Sequence, residues 1–133
     1  MVLPSLLRDV YYEMEGDGPL YLFDLDHEGG SIEIYPLSTW KRMLEDMREE
    51  AKRQKKPRLL TFFSGKAKPV DLPRGGNGRL QLPAEMAERF RPGNEILFVG
   101  VDTKIEMWIP ETYVEVESNF EQDLKETYEM IRY

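Results

Sequence analysis

The residues best suited to chemistry in this 133-residue sequence lie in one basic, glycine-rich stretch. Arg74 and Arg79 flank the tetrapeptide Gly75-Gly76-Asn77-Gly78. Glycines let the backbone approach a phosphate closely, and an arginine can bind a phosphate or a guanine edge through two parallel hydrogen bonds. Lys66 and Lys68 can add phosphate contacts that do not depend on base sequence. The alternative is an ordinary hairpin tip, since an Asn-Gly pair alone predicts only a tight turn.

The distribution of charge favours a polyanion as the partner. The whole chain has a net charge of −7, yet residues 52–79 hold nine of its 18 basic side chains and a single acid, Asp71. Such asymmetry predicts a basic face on an acidic domain. It is also typical of a solvated helix end followed by a linker, so charge alone leaves the choice open.

Other kinds of site have little support. The chain has no cysteine and one histidine, His27, which excludes thiolate metal sites, cysteine nucleophiles and clusters of imidazoles within one chain. The pattern Asp24-x-Asp26-x-Glu28-Gly29 imitates the start of a calcium loop, but Tyr35 stands at the twelfth position, where a bidentate glutamate is required. A hairpin turn explains the same residues. We therefore expect no enzyme, no metal and no cofactor.

The composition is that of a folded domain outside the membrane. Apolar residues make up 41% of the chain and aromatic residues 11%, which is enough for a core. No stretch approaches the roughly 18 apolar residues of a membrane helix, and the N-terminus lacks the features of a signal peptide. We expect a cytoplasmic protein with no membrane partner and no small-molecule substrate.

Hydrophobic periodicity predicts seven extended segments and three helices. The extended segments are 20–25, 31–35, 59–63, 66–72, 79–82, 95–101 and 105–109. The first helix has Ser38 as its N-cap, runs to Ala51 and ends before Pro57. A short second helix spans 84–90 after Pro83. The third lies in the tail, where one face carries Phe120, Leu124, Tyr128 and Ile131.

The sequence also contains an internal repeat. Residues 22–25 align with 97–100, residues 32–35 with 105–108, Thr39-Trp40 with Thr112-Tyr113, and Leu3-Pro4 with Leu82-Pro83. Each copy therefore consists of a strand, a proline-opened helix, a two-stranded hairpin, and a helix or turn. Nothing in the first copy corresponds to residues 66–80.

These segments resemble the MraZ family, which is built from two tandem swapped-hairpin modules of the AbrB type. The matching stretches, in order and spacing over residues 18–113, are 35–40, 63–67, 78–83, 96–101 and 105–108. The resemblance implies a strand-dominated α+β fold, in which the modules form a compact β-barrel-like unit with flanking helices. We expect a first module at 1–57 without its N-terminal hairpin, a second at 58–117, and a helical tail at 118–133.

The resemblance also implies a bacterial, nucleoid-associated transcriptional regulator that binds double-stranded promoter repeats as a homo-oligomeric ring. The family contacts DNA through an Asp-x-x-x-Arg loop in each module. Arg79 falls on the arginine of this motif, but Gly75 stands in place of the aspartate. The predicted DNA-binding residues are Arg79, Arg74, Lys66, Lys68 and Asn77. A competing interpretation is a structural or protein-interaction member of the family that has lost DNA binding.

The start of the chain raises a related question. The repeat aligns Met1 with Leu80, partway along a predicted strand, and a domain rarely begins inside a strand because an unpaired edge invites aggregation. Either the lineage lost its first hairpin or the natural start lies upstream. The acidic segment 13–18, which the second copy lacks, favours divergence.

Overall fold

The computed structural model describes residues 19–25, 30–71, 82–90 and 95–132. These residues form five strands and four helices. In chain order they are β1 Leu20–Phe23, β2 Ser31–Pro36, α1 Leu37–Arg53, α2 Arg58–Gly65, β3 Ala67–Val70, α3 Ala84–Ala87, β4 Leu97–Val101, β5 Lys104–Trp108 and α4 Pro110–Arg132. The expected α+β class is confirmed, although the helices hold more residues than the strands, so the fold is not strand-dominated.

The five strands form one antiparallel sheet in the order β3-β1-β2-β5-β4. The hairpins β1–β2 and β4–β5 lie side by side and are joined through β2 and β5. Among the described residues β3 and β4 are open edges, whereas a barrel requires its first and last strands to pair. The expected barrel-like closure is therefore wrong for this part of the chain. Of the predicted strand at 79–82, residues 79–81 lie outside the described ranges.

Both faces of the sheet bury apolar side chains, because residues alternate between the faces along each strand. One face holds the larger cluster, whose buried members are Leu20, Leu22, Ile32, Ile34, Val70, Met86, Phe90, Ile105 and Met107. The other face holds an aromatic cluster beneath α1 and α2, formed by Phe23, Tyr35 and Trp40 with Tyr21 and Phe63 against them. Helices thus cover the sheet on both sides around β1.

The structure supports the internal repeat and corrects its alignment by one residue. In the first hairpin Leu22 lies opposite Ile34. The repeat matches Ile34 with Met107, which lies opposite Phe98. Leu22 therefore corresponds to Phe98, one residue beyond the Leu97 chosen from sequence. The sequence does not reveal this offset because the loops between the paired strands differ in length. The offset matters because a shift of one residue moves every side chain of a strand to the other face of the sheet.

The segment 59–63, predicted as a strand, lies instead within helix α2. Five consecutive residues with little alternation do not distinguish a strand from a buried helix turn. Tertiary contact decides the matter: the Phe63 ring lies 5.1 Å from both the Phe23 and the Trp40 rings. Pro57 is the N-cap of this helix.

Helix boundaries differ in smaller ways from those predicted. Helix α1 begins one residue before Ser38, and its N-cap is Pro36 rather than Ser38. Helix α3 ends at Ala87 rather than at residue 90. Both differences are of the size by which helix ends usually vary.

Helix α4 runs for 23 residues. It continues without a break through residue 118, where the sequence predicts the start of the helical tail. None of its side chains is buried. Its charged residues recur too often for a membrane segment, and no helix in the described ranges is long and apolar enough to cross a bilayer.

Candidate nucleic-acid interface

The described part of the basic stretch, which we call the cationic strip, runs from the end of α1 through α2 into the edge strand β3. Its basic members are Lys52, Arg53, Lys55, Lys56, Arg58, Lys66 and Lys68. All except Lys66 are exposed. A cationic strip of this kind suits a polyanion better than a neutral ligand.

Local structure explains how the strip is held. The left-handed backbone of Lys55, with φ of 57°, turns the chain from α1 towards α2. Phe63 stacks on Trp40 at an interplanar angle of 17°, which fixes α2 against the sheet. At the far end of α2, the backbone N–H of Asp24 donates to the carbonyl oxygen of Lys66 at 3.0 Å. The backbone of Lys66 is thus fixed, while its side chain is half-buried.

Lys68 lies on β3, directly opposite Leu22 of β1. Its Nζ is 3.8 Å from Oε1 of Glu85 on α3, and both side chains are about half exposed. An exposed pair at this distance contributes little to stability. It does bring together the two elements that bound residues 72–81, because β3 ends just before them and α3 starts just after. Arg74, Asn77 and Arg79 lie between, outside the described residues.

The charges on the strip are unequally neutralised. Arg53 and Gln54 donate hydrogen bonds to Glu50, and with the charge of Arg53 they lower the pKa of Glu50 to about 2. Lys52 lies 3.9 Å from Glu49. By contrast, Lys55, Lys56, Arg58 and Lys66 form no ion pair with any other described residue. These four are the cations left for an external partner.

A buried ion pair that the sequence did not reveal holds the turn after α3 to the end of β1. Nη2 of Arg89 lies 3.1 Å from both carboxylate oxygens of Asp24, and Nη1 donates to the Ser31 carbonyl at 3.3 Å. The side chain of Asp24 is 3% exposed and that of Arg89 12%. The partners are 65 residues apart, beyond the reach of any local pattern. Only the aspartate directly after an apolar strand hinted at a buried charge.

The same pair bears on the calcium-like pattern. Its first member, Asp24, is paired with Arg89, and this ion pair explains the aspartate without a metal ion. Asp26 and Glu28 lie outside the described residues, as does His27. Across the described ranges no three acidic or histidine side chains gather closely enough to hold a metal ion.

Comparison with known proteins identifies several relatives, although no family model matches the chain. A protein named "Transcriptional regulator MraZ" from Clostridium acetobutylicum is 32% identical over 117 residues, covering 86% of this chain and 75% of that relative. One of the same name from Desulfitobacterium hafniense strain Y51 is 34% identical over 110 residues, covering 81% and 70%. Another, from Thermoanaerobacter sp. strain X514, is 27% identical over 97 residues, covering 72% and 66%.

Proposed function

The chain belongs to the MraZ family, and on that premise we propose that it is a DNA-binding transcriptional regulator that acts as a homo-oligomer. The relatives are named transcriptional regulators, which supports a role in transcription. The observation that carries DNA binding is the placement of Lys66 and Lys68 at the start of the edge strand β3, which leads along the chain into residues 72–81 with Arg74 and Arg79. In this proposal the protein is cytoplasmic and associated with the nucleoid.

The proposed DNA contact combines a specific part and a general part. Arg79 and Arg74 read base edges or bind phosphates, with Asn77 beside them in the glycine-rich stretch. Lys68 contacts the phosphate backbone from the edge strand, and Lys66 does so from the C-cap of α2, just before that strand. Engaging DNA requires Lys68 to exchange Glu85 for a phosphate, which costs little because the pair is long and half exposed.

The two-module organisation, with boundaries at residues 57 and 117, is part of the same proposal. The hairpins β1–β2 and β4–β5 are its support, because each places an aromatic residue against the helix that follows. Tyr35 lies 6.4 Å from Trp40 in the first, and Trp108 lies 5.4 Å from Tyr113 in the second, between ring centroids. The two hairpins share one sheet, so the modules are expected to fold as a unit.

A mobility-shift titration on repeat-containing promoter DNA at two salt concentrations tests the proposal. The wild type is expected to bind and to lose affinity steeply as salt rises. Arg79→Ala and Arg74→Ala should each weaken binding by about tenfold or more, since a charge-assisted base contact contributes roughly 1–3 kcal/mol. Arg48→Ala is the matched control, because Arg48 is exposed on α1 outside the basic stretch and pairs with Glu45.

Two observations favour a second function, that of a structural or protein-interaction member of the family without DNA binding. Gly75 replaces the acidic residue of the family's loop motif, and the long, uncovered α4 offers a surface for protein partners. If the wild type and both arginine variants show the same weak shift, this second function replaces the first.

A further inference from the structure

The apolar face of α4 continues past the domain that it packs on. At its start Tyr113 lies against Trp108, with ring centroids 5.4 Å apart. The helical period places three later residues on the same face as Tyr113, and they are Phe120, Leu124 and Ile131. These are 61%, 69% and 78% exposed. Most of the stability of a helix in a protein comes from packing of its apolar face, so this stripe favours binding to a partner.

The charges on α4 indicate which kind of surface would bind the stripe. Helix α4 carries seven acidic residues and two basic ones. Glu117 and Asp123 lie on either side of the apolar stripe, since they are offset from Phe120 by three positions in opposite directions. A surface that covers the stripe should therefore combine an apolar centre with basic flanks.

Helix α2 presents such a surface. Arg58, Phe62 and Gly65 share one face of this helix by their spacing. Phe62 is 62% exposed, and a Cβ placed on Gly65 would meet nothing within 4 Å, so another helix can approach closely there. Lys55 and Lys56 lie just before this face and form no ion pair with the other described residues.

We propose that the free half of α4 docks on the exposed face of α2 in a second copy of this chain. The stripe would cover Phe62 and Gly65, and the acids of α4 would face Arg58, Lys55 and Lys56. Because α4 is exposed from Glu117 onward, the α2 of its own chain does not cover it. The exposed phenylalanine between the cations favours a protein over a phosphate backbone as the occupant of this face.

This inference rests on the self-association part of the proposed function and does not depend on DNA. The two docking surfaces differ, so the contact is head-to-tail, and it either closes into a ring or propagates. Each copy uses its α4 for one neighbour and its α2 for the other. This asymmetry makes the arrangement testable by mixing variants.

Two substitutions at exposed positions separate the surfaces without disturbing the core. Leu124→Asp blocks the α4 stripe, and Phe62→Asp blocks the α2 face. We expect each variant to be folded by circular dichroism and to associate at least tenfold more weakly in sedimentation velocity. Mixed one to one, they should form a dimer of twice 15.6 kDa, since one intact α4 meets one intact α2. Val114→Asp is the control, because Val114 is exposed off the stripe.

A charge swap tests the flanks of the same contact. Arg58→Glu should weaken association, and adding Asp123→Lys should restore it at least partly. Association lost with Leu124→Asp but kept with Phe62→Asp would mean that α4 pairs with another α4, and would overturn the inference. So would a mixture of the two variants that stays monomeric.

Two further results distinguish this inference from the proposed function. If both variants form assemblies of the same mass as the wild type, the proposed docking of α4 on α2 is wrong, while the proposal of self-association is kept. If Phe62→Asp and Arg58→Glu lower DNA affinity at unchanged mass, the α2 face binds DNA instead. A wild type that sediments as a monomer at every concentration would overturn both the docking and the homo-oligomer, and mobility shift would still test DNA binding by itself.

Discussion

Glu33 and Glu106 lie directly opposite each other in the pairing of β2 with β5, and Lys104 bridges them. Its Nζ lies 3.0 Å from Glu33 Oε1 and 3.3 Å from Glu106 Oε2. The repeat equates the two glutamates, and each accepts a hydrogen bond from the aromatic residue two positions later. The donors are the Tyr35 hydroxyl and, at 3.1 Å, Nε1 of Trp108. Like charges placed opposite each other destabilise a sheet, so Lys104 stabilises the junction between the repeats.

Replacing this lysine should therefore destabilise the fold. Lys104→Met is expected to lower the free energy of unfolding by about 1–2 kcal/mol, because it leaves two partly buried carboxylates facing each other. Urea unfolding measures the change. Adding Glu106→Gln to Lys104→Met should recover part of the loss by removing the repulsion. Lys125→Met is the control, since Lys125 pairs with Glu121 on the exposed surface of α4.

The same contact predicts a dependence on pH. Burial disfavours the charged amine, but hydrogen bonds and charge from Glu33 and Glu106 outweigh it and raise the pKa of Lys104 above 10.5. A group whose pKa is raised by folding stabilises the fold fully at pH values below its pKa in the unfolded chain. This contribution disappears as the pH rises through the pKa of the group in the folded protein. The stability difference between wild type and Lys104→Met should thus be constant from pH 6 to 9 and shrink above about pH 10.5. If the stability difference between wild type and Lys104→Met grew above this pH, it would contradict the contact of Lys104 with the two glutamates.

Two neighbouring phenylalanines test the helical state of α2. Phe63 packs on Phe23 and Trp40, whereas Phe62 is 62% exposed. Phe63→Ala should cost about 2–4 kcal/mol of unfolding free energy through lost packing. Phe62→Ala should stay within about 0.5 kcal/mol, measured at concentrations where the chain is monomeric. Comparable losses for both variants would argue against this placement of α2.

Long periodic patterns were enough to predict much of the fold. Helix α1 follows from apolar residues at three- and four-residue steps, of which Trp40 and Ala51 are buried. Strands β2 and β5 follow from alternation, and Ile32, Ile34 and Met107 are fully buried. The α2 segment could not be assigned in this way, because contacts with residues distant in sequence decide its state.

In the candidate site too, some features can be predicted from the sequence and others depend on contacts between distant residues. The composition of the sequence is enough to find the basic stretch, and the structure locates Lys68 on the edge strand and Lys66 just before it, at the C-cap of α2. The repeat made Glu33 and Glu106 equivalent, but sequence carries no information on which strands pair between the copies. The contact of Lys68 with Glu85 and that of Asp24 with Arg89 both depend on such pairing. Arg74, Asn77 and Arg79 remain predictions.

Gly30 is expected to tolerate no side chain. Its φ is +93°, and a Cβ there would lie 2.5 Å from Thr112 Cγ2 and 3.2 Å from Trp108 Cζ3. Gly30→Ala should cost about 1–3 kcal/mol through backbone strain and this clash. Thr112→Ser, which removes Cγ2, should relieve part of the cost in the double variant. Gly65→Ala, at an open helical position, should be neutral or stabilise by up to about 1 kcal/mol. Thermal unfolding of the four proteins makes the comparison.

The buried pair of Asp24 and Arg89 leads to the largest expected effect. Removing one partner breaks this ion pair while the other side chain stays buried, which costs about 3–5 kcal/mol. Asp24→Asn and Arg89→Met should each lower the unfolding free energy by that amount in urea titrations. The double variant should lose clearly less than the two single losses together, because both substitutions break the same ion pair. Glu85→Gln, which removes the exposed partner of Lys68, should change stability by less than about 0.5 kcal/mol. Strictly additive losses would mean that the two side chains act independently, and that α3 is held to the sheet by apolar contacts such as those of Met86 alone.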